Sequence, residues 1–285
     1  MTAEGKRRLL ITTAHPDDES FGPGGTLAKY AHEGVAVYLA CATRGEAGGS
    51  DEQDLGACED LACRREKELR CAAQVLDLAD VFLLGYRDSG MAGSAANRHA
   101  GALVQADTEE VARKIVDLIG RLRPQVILTS DPYGGYGHPD HIAIHRATLR
   151  AWELCRSGAV LPEAMPQKLY YSTFPRTLLR WSVRLMPLLG RDPRAVGANK
   201  DIDLIEVMKH AVPVTTRVNT MAYYEIAERA SACHASQLSG PSSVSGWMPR
   251  WLLRRVRGFD TFHRAYPPFV AGERAERDLF EGVGP

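Results

Sequence analysis

Two short motifs concentrate the residues that can do chemistry: His15-Pro16-Asp17-Asp18-Glu19 and His138-Pro139-Asp140-His141. His15 and Asp18 lie three residues apart, and so do His138 and His141. On a turn or a first helical turn, that spacing puts both side chains of a pair on one face. Neutral imidazole and carboxylate are the usual ligands of a catalytic zinc, which takes three protein ligands and keeps one position open. The same two-histidine, one-carboxylate set also holds Fe(II), so ligand type admits Zn2+, Fe2+ or another divalent ion. Asp17 cannot easily share an ion with Asp18, because adjacent side chains point apart. It is placed instead to take a proton from an attacking water as general base. Burying such carboxylates without a cation costs on the order of several kcal/mol, a cost a metal removes. Either motif alone reads equally well as a helix N-cap beside a surface histidine. Both together, each just past a predicted strand, point to a metal centre for hydrolysis.

The surrounding pattern supplies those strands. Residues 8–13 are apolar and β-branched and predict a strand. Gly24-Gly25-Thr26 opens a helix that Gly34 stops, and 35–42 predicts a second buried strand. Such a unit implies parallel strands joined by a right-handed crossover. A Gly- and acid-rich loop follows, then a helix over 59–76 and a strand over 81–84. A polar loop leads to a helix beginning at Asp107, with apolar Val111, Ile115, Leu118, Ile119 and Leu122 at helical spacing. Residues 125–129 predict a fourth strand, and 139–154 a helix carrying His141. Alternation of this kind predicts an α/β, Rossmann-like fold: a mostly parallel, doubly wound sheet with helices on both faces. Ligands of such sheets bind beyond the carboxyl ends of the strands, where both histidine motifs fall.

Beyond residue 155 the pattern thins. A strand over 168–173, an apolar and basic stretch over 178–190 and a helix over 222–234 are expected. No repeat or low-complexity linker divides the chain. The expectation is therefore one 285-residue domain: a metal-binding core over 1–155 and a substrate-specificity elaboration over 156–285. Gly22-Pro23-Gly24-Gly25 lacks the spacing of a dinucleotide loop, and no acid ends the second strand. Those glycines are expected to let the backbone pass close to the metal loop.

Composition narrows the partners. The chain is 45% hydrophobic and 25% charged, with 35 Lys+Arg against 35 Asp+Glu. No net field draws nucleic acid or an anionic membrane, so neither is expected as a partner. No segment approaches the roughly 20 apolar residues that span a bilayer. The short apolar run after Lys6-Arg7-Arg8 is too short for a signal core. A cytoplasmic protein acting on a small molecule is expected, with assembly into a homo-oligomer left open. The six cysteines (Cys41, Cys58, Cys63, Cys71, Cys155 and Cys233) form no CxxC pair and are expected as free thiols. Trp247, Arg250, Trp251, Arg254, Arg255 and Arg257 form a basic aromatic cluster, read first as a solvated face over core tryptophans.

At AHPDDE (Ala14 to Glu19) and GGYGHPDH (Gly134 to His141) the sequence resembles the LmbE / PIG-L family of metal-dependent N-acetylglucosamine deacetylases. TRGEAG (Thr43 to Gly48), the R-x-x-E-L of Arg65 to Leu69 and YRDSGM (Tyr86 to Met91) resemble its mycothiol-pathway branch of deacetylases and conjugate amidases. CHASQ (Cys233 to Gln237) is a weaker match. The resemblance implies that His15, Asp18 and His141 are the metal ligands and that Asp17 is both base and acid. It implies that His138 stabilises the tetrahedral intermediate, with Asp140 setting its protonation and orientation, and that Tyr136 polarises the amide carbonyl. It also implies that Arg65 and Asp88 contact sugar hydroxyls and that Glu46 lines the pocket.

Each supporting residue also has a plainer reading. Arg65 is one of many helix arginines, Tyr136 a loop anchor, His145 a packing residue, and His234 and Gln237 local helix-end structure. The function expected is removal of an acetyl group from an N-acetylglucosaminyl small molecule or glycoconjugate, giving acetate and a free amino sugar. The alternatives are an amidase that cleaves a larger acyl group from an amino-sugar thiol conjugate, and a non-catalytic sugar-binding protein. Residues 156–215 lie outside the shared core and are expected to carry much of the selectivity.

Overall fold

The computed structural model describes residues 6–48, 55, 57–197, 202–238, 254, 257–270 and 272–284. Its strands are β1 Arg8–Thr13, β2 Ala36–Thr43, β3 Asp80–Tyr86, β4 Val126–Thr129, β5 Lys168–Ser172, β6 Thr216–Asn219 and β7 Phe259–Tyr266. They form one sheet in the order β3-β2-β1-β4-β5-β7-β6. β1 to β5 run parallel, and β7 and β6 close the edge antiparallel. The helices are α1 Asp18–Phe21, α2 Gly24–His32, α3 Leu61–Val75, α4 Thr108–Leu122, α5 Gly134–Gly137, α6 Pro139–Leu154, α7 Arg176–Leu185, α8 Leu204–His210 and α9 Tyr224–Cys233.

Alternation along β1 explains why both faces are covered. Leu9 and Ile11 join Leu27 and Tyr30 of α2, Leu69 of α3 and Ala230 of α9 in one apolar layer. Leu10 points the other way, into Ile115 and Ile119 of α4 and Ile144 and Trp152 of α6. A strand buried on both sides reads as a continuous apolar run, as β1 does. Each fully buried Leu or Ile contributes roughly 1.5–3 kcal/mol. Helix α4 follows its apolar spacing. Asp107 caps it by accepting from the Glu109 N–H at 2.9 Å, and Arg123 ends it in the left-handed region at φ 51°.

The chain runs outward from β1 to β2 and β3, then returns to the other side of β1 for β4. The strand order therefore reverses between β1 and β4, which opens a crevice at their carboxyl ends. His15 lies two residues past β1, and the loop after β4 leads to His138.

The structure adds to the sequence reading beyond residue 155. Strand β5 was expected; β6 and β7 were not. β6 has four residues that alternate buried and exposed, and β7 mixes Asp, Thr, His and Arg into its pattern, so neither carries a strong apolar signal. All three extend the same sheet as β1 to β4. The free-thiol expectation is corrected at two positions. Cys71 of α3 and Cys233 of α9 form a disulfide, with a Cα–Cα distance of 5.9 Å. The pair stands 162 residues apart, a separation that carries no spacing signal. Cys41, Cys58, Cys63 and Cys155 are free. In the basic aromatic cluster, Trp247, Arg250, Trp251 and Arg255 lie outside the described residues, whereas Arg254 donates from Nε to the Met221 carbonyl at 3.0 Å. Among the described residues no helix is long and apolar enough to cross a membrane.

Candidate active site

The first motif is a sharp turn off β1. The Asp18 carboxylate folds back on the strand end: its Oδ2 accepts from the N–H groups of Ala14 at 3.0 Å and His15 at 2.9 Å. That leaves Oδ1 facing His141 Nε2 at 3.3 Å. Asp17 has φ 123°, a region a non-glycine residue enters only when its surroundings hold it there, at a cost of about 1–3 kcal/mol. Two groups hold it. Its N–H donates to Glu19 Oε2 at 3.0 Å, and its carboxylate Oδ2 accepts from Arg65 Nη2 at 3.1 Å.

Arg65 is buried on α3 and also donates to the carbonyls of Pro16 at 2.6 Å and Gly45 at 2.9 Å. Gly45 has φ +71°, and a Cβ there would come within 2.3 Å of the guanidinium, so glycine is required for this approach. Burial pushes the Asp17 carboxyl up to about 7, with Arg65 opposing and Asp18 adding to the rise.

The second motif is a helix start. Asp131 Oδ1 accepts from the N–H groups of Tyr133 at 2.9 Å and Gly135 at 3.0 Å, which coils the glycine-rich loop before it. His138 is then the N-cap of α6, its ring Nδ1 accepting from the Asp140 N–H at 3.1 Å, with Pro139 in the first turn. Burial, together with the neighbouring His15 and His141, pushes His138 down to about 3. A neutral ring that accepts at Nδ1 carries its proton on Nε2. His138 thus presents a donor, not a lone pair, at Nε2.

His15 carries its proton on the same ring nitrogen, but its Nδ1 is left free of a backbone donor. Its Nε2 faces Asp140 Oδ2 at 3.2 Å and Asp88 Oδ1 at 3.4 Å, and therefore donates. Burial acts to lower the His15 pKa, but these two carboxylates outweigh it and raise it. The Nδ1 lone pair is left facing His141 Nε2 at 3.2 Å. Asp140 meets the two histidines through different groups. Its carboxylate orients His15 and accepts from the Ser89 N–H at 2.8 Å, while only its backbone N–H meets His138. The side chain points back from the helix start toward the sheet edge, not along the cap.

These atoms pass a test of fit for a metal. Ligand atoms around a tetrahedral ion with bonds of about 2.0–2.2 Å stand about 3.3–3.6 Å apart. His15 Nδ1 to His141 Nε2 is 3.2 Å and His141 Nε2 to Asp18 Oδ1 is 3.3 Å, close to that spacing, whereas His15 Nδ1 stands farther from the Asp18 carboxylate, 4.0 Å from its Oδ2. The ring nitrogens of His15, His138 and His141 also lie within 4.8 Å of one another. Distance alone leaves three histidines in reach of one ion, and the hydrogen bonds separate them. A ring that accepts at Nδ1 has no lone pair to give at Nε2.

The remaining expected residues surround this centre. The Tyr136 ring lies 5.4 Å from that of His141 and 5.9 Å from that of His138, between centroids. Asp88, expected to meet sugar, accepts from the N–H groups of Gly90 at 2.8 Å and Ala47 at 3.2 Å besides facing His15. Glu46 Oε2 accepts from the Asp88 N–H at 2.9 Å. Arg65 is engaged with the Asp17 turn. His145 donates from Nδ1 to the Ser130 carbonyl at 2.8 Å.

Asp131 was not foreseen, Glu19 was named only as part of its motif, and His234 was read as local helix-end structure. His234 Nε2 lies 2.7 Å from Glu19 Oε1, in a fully buried pair. Burial lowers the His234 pKa, and Glu19 more than reverses that. Their acid and histidine types are a signal for pairing, but 215 residues separate them.

The family model described as PIG-L, GlcNAc-PI de-N-acetylase, matches residues 10–152. A 1D-myo-inositol 2-acetamido-2-deoxy-alpha-D-glucopyranoside deacetylase from Acidothermus cellulolyticus is 36% identical, over 97% of this chain and 95% of its own. A protein of the same name from Streptomyces avermitilis is 37% identical, over 98% of both chains. Among solved structures, the N,N'-diacetylchitobiose deacetylase from Pyrococcus horikoshii shares the fold. Its TM-score is 0.58 and its identity 19%, over 92% of this chain and 84% of its own. With the paired motifs on the β1–β4 crevice, a family match over half the chain and relatives aligned along nearly all of it, this chain belongs to the PIG-L family.

Proposed function

We propose that the protein is a metal-dependent hydrolase that removes the acetyl group from the 2-acetamido group of a glucosaminyl-containing small molecule. The observation that carries this reading is the meeting of His15 Nδ1, His141 Nε2 and the Asp18 carboxylate, next in the chain to the buried Asp17 carboxylate. The names of the relatives make 1D-myo-inositol 2-acetamido-2-deoxy-α-D-glucopyranoside the first substrate to test.

His15, Asp18 and His141 would hold the divalent ion. Zn2+ and Fe2+ both suit the donor set. Such an ion would supply Lewis acidity for the amide carbonyl and would make the attacking water more acidic. Asp17 takes the proton of the attacking water and returns it to the departing amine; a carboxyl raised toward neutrality suits both tasks. His138 donates from Nε2 to the oxyanion, already neutral and already oriented by the α6 cap. Asp140 and Asp88 fix the His15 tautomer so that its lone pair faces His141. Tyr136 stands over the same side of the site.

Selectivity is assigned to α7 and α8. Leu179 and Val207 of these helices pack with Tyr133 and Tyr136 of the glycine loop, and the His210 ring stacks on Tyr133 at 4.4 Å. The segment therefore bears on the wall of the crevice nearest His138.

The test pairs a metal determination with amine release from that substrate. Chelation should abolish turnover, and Zn2+ or Fe2+ should restore it; the stronger restoration names the native ion. Full turnover in metal-free protein would overturn the reading.

A further inference from the structure

The CHASQ segment at Cys233 to Gln237 takes no part in the chemistry above, yet it touches two buried carboxylates, Glu19 beside the Asp17 turn and Glu68 of α3. His234 Nε2 lies 2.7 Å from Glu19 Oε1. Ser236 donates from N to Glu68 Oε1 at 2.9 Å and from Oγ to Glu68 Oε2 at 2.6 Å. Glu68 sits one turn beyond Arg65 on α3, so the segment is tied both to Glu19 and to the helix that carries Arg65.

The link through Glu19 is the tighter of the two. Glu19 and His234 are both 0% exposed. His234 Nδ1 is buried with no partner among the described residues, so the ring's polar contact is Glu19. Glu19 Oε1 also accepts from Ser20 Oγ at 2.5 Å, and its Oε2 takes the Asp17 N–H at 3.0 Å. Without His234, a carboxylate sealed from water would be left with hydroxyl and amide donors only. Short of donors, it would rotate away to find others, and its grip on the Asp17 amide weakens. Asp17 is the residue whose backbone at φ 123° needs that grip.

We propose that His234 is a positioning residue: through Glu19 it holds the Asp17 turn, and so keeps the Asp17 carboxylate in place next to the ligand Asp18. The inference rests on Asp17 being the base, and its test is built to separate the two. Full-length, metal-loaded protein is prepared as wild type, His234→Leu, His234→Asn and His234→Gln. Gln reaches Glu19 with an amide donor, Asn is one methylene too short, and Leu has no donor. Amide hydrogen exchange is followed in the peptide over residues 14–21, along with metal content, kcat and KM.

Leu and Asn should speed exchange of the Asp17 amide about tenfold. They should lower kcat about 10²-fold while KM stays within about twofold and metal content is unchanged. Gln should recover most of both losses. If Leu does not fold, the contrast between Asn and Gln decides. Wild-type exchange in folded Leu or Asn protein, or a Gln variant no better than Asn, overturns the proposal. If the wild type releases no amine, the proposed function fails, and the exchange contrast still decides the role of His234.

Discussion

The two histidine motifs look alike in sequence but are held in opposite ways. The second is locally self-sufficient. His138 caps a 16-residue helix with its own ring, Pro139 starts the first turn, and His141 follows on the same turn. The first rests on a four-residue helix and a strained Asp17, and its own Glu19 depends on His234, as Asp17 does on Arg65, from elsewhere in the chain. The contrast separates two ways to place a reactive group. A helix terminus orients a donor through its own hydrogen bonds. A strained turn orients a base only while remote groups hold it.

That contrast can be broken at the ligands first. His15→Ala should lose both the metal and all measurable turnover, because it removes a ligand and leaves Asp88 and Asp140 facing each other; metal analysis and an amine assay check it. Asp17→Asn should keep the metal and lower kcat by about 10²–10⁴-fold; near-normal turnover would remove Asp17 as base. His138→Ala should lower kcat by about 10²–10³-fold and cost about 1 kcal/mol of stability through the lost cap. His138→Asn, a good N-cap, should restore the stability in a denaturant titration without restoring the rate. If both return together, the cap and the donor are not separable functions of that ring. The smallest effect is expected outside the ligand set. Asp140→Asn should weaken metal affinity about 10–100-fold by loosening the His15 tautomer, read by competition with a chelator. An effect confined to kcat would return Asp140 to His138.

What was legible in the sequence follows the same division. The motif positions, the parallel strands and α4 were readable because apolar periodicity and N-cap chemistry are local. The bland reading of His138 as a helix cap and the functional one both describe the structure, since the cap bond is what leaves its Nε2 a donor. Less legible were groups whose meaning is set by a distant partner. Arg65 was expected at the sugar and supports the Asp17 turn; Asp140 was expected at His138 and orients His15. No spacing rule connects Glu19 to His234 across 215 residues, or Cys71 to Cys233 across 162. β6 was missed because a four-residue edge strand of alternating burial resembles a loop, and β7 because its Asp, Thr, His and Arg mask its apolar positions.

The Cys71–Cys233 bridge has a consequence for motion. It fastens the helix that delivers Arg65 to the residue just before His234, so both braces of the Asp17 turn hang from one covalent staple. Partial opening of one helix must then drag the other. The two should behave as a single cooperative unit whose amides lose protection together. Cutting the staple with a reductant would give the base loop its own opening equilibrium, distinct from that of the α6 helix that carries His138 and His141.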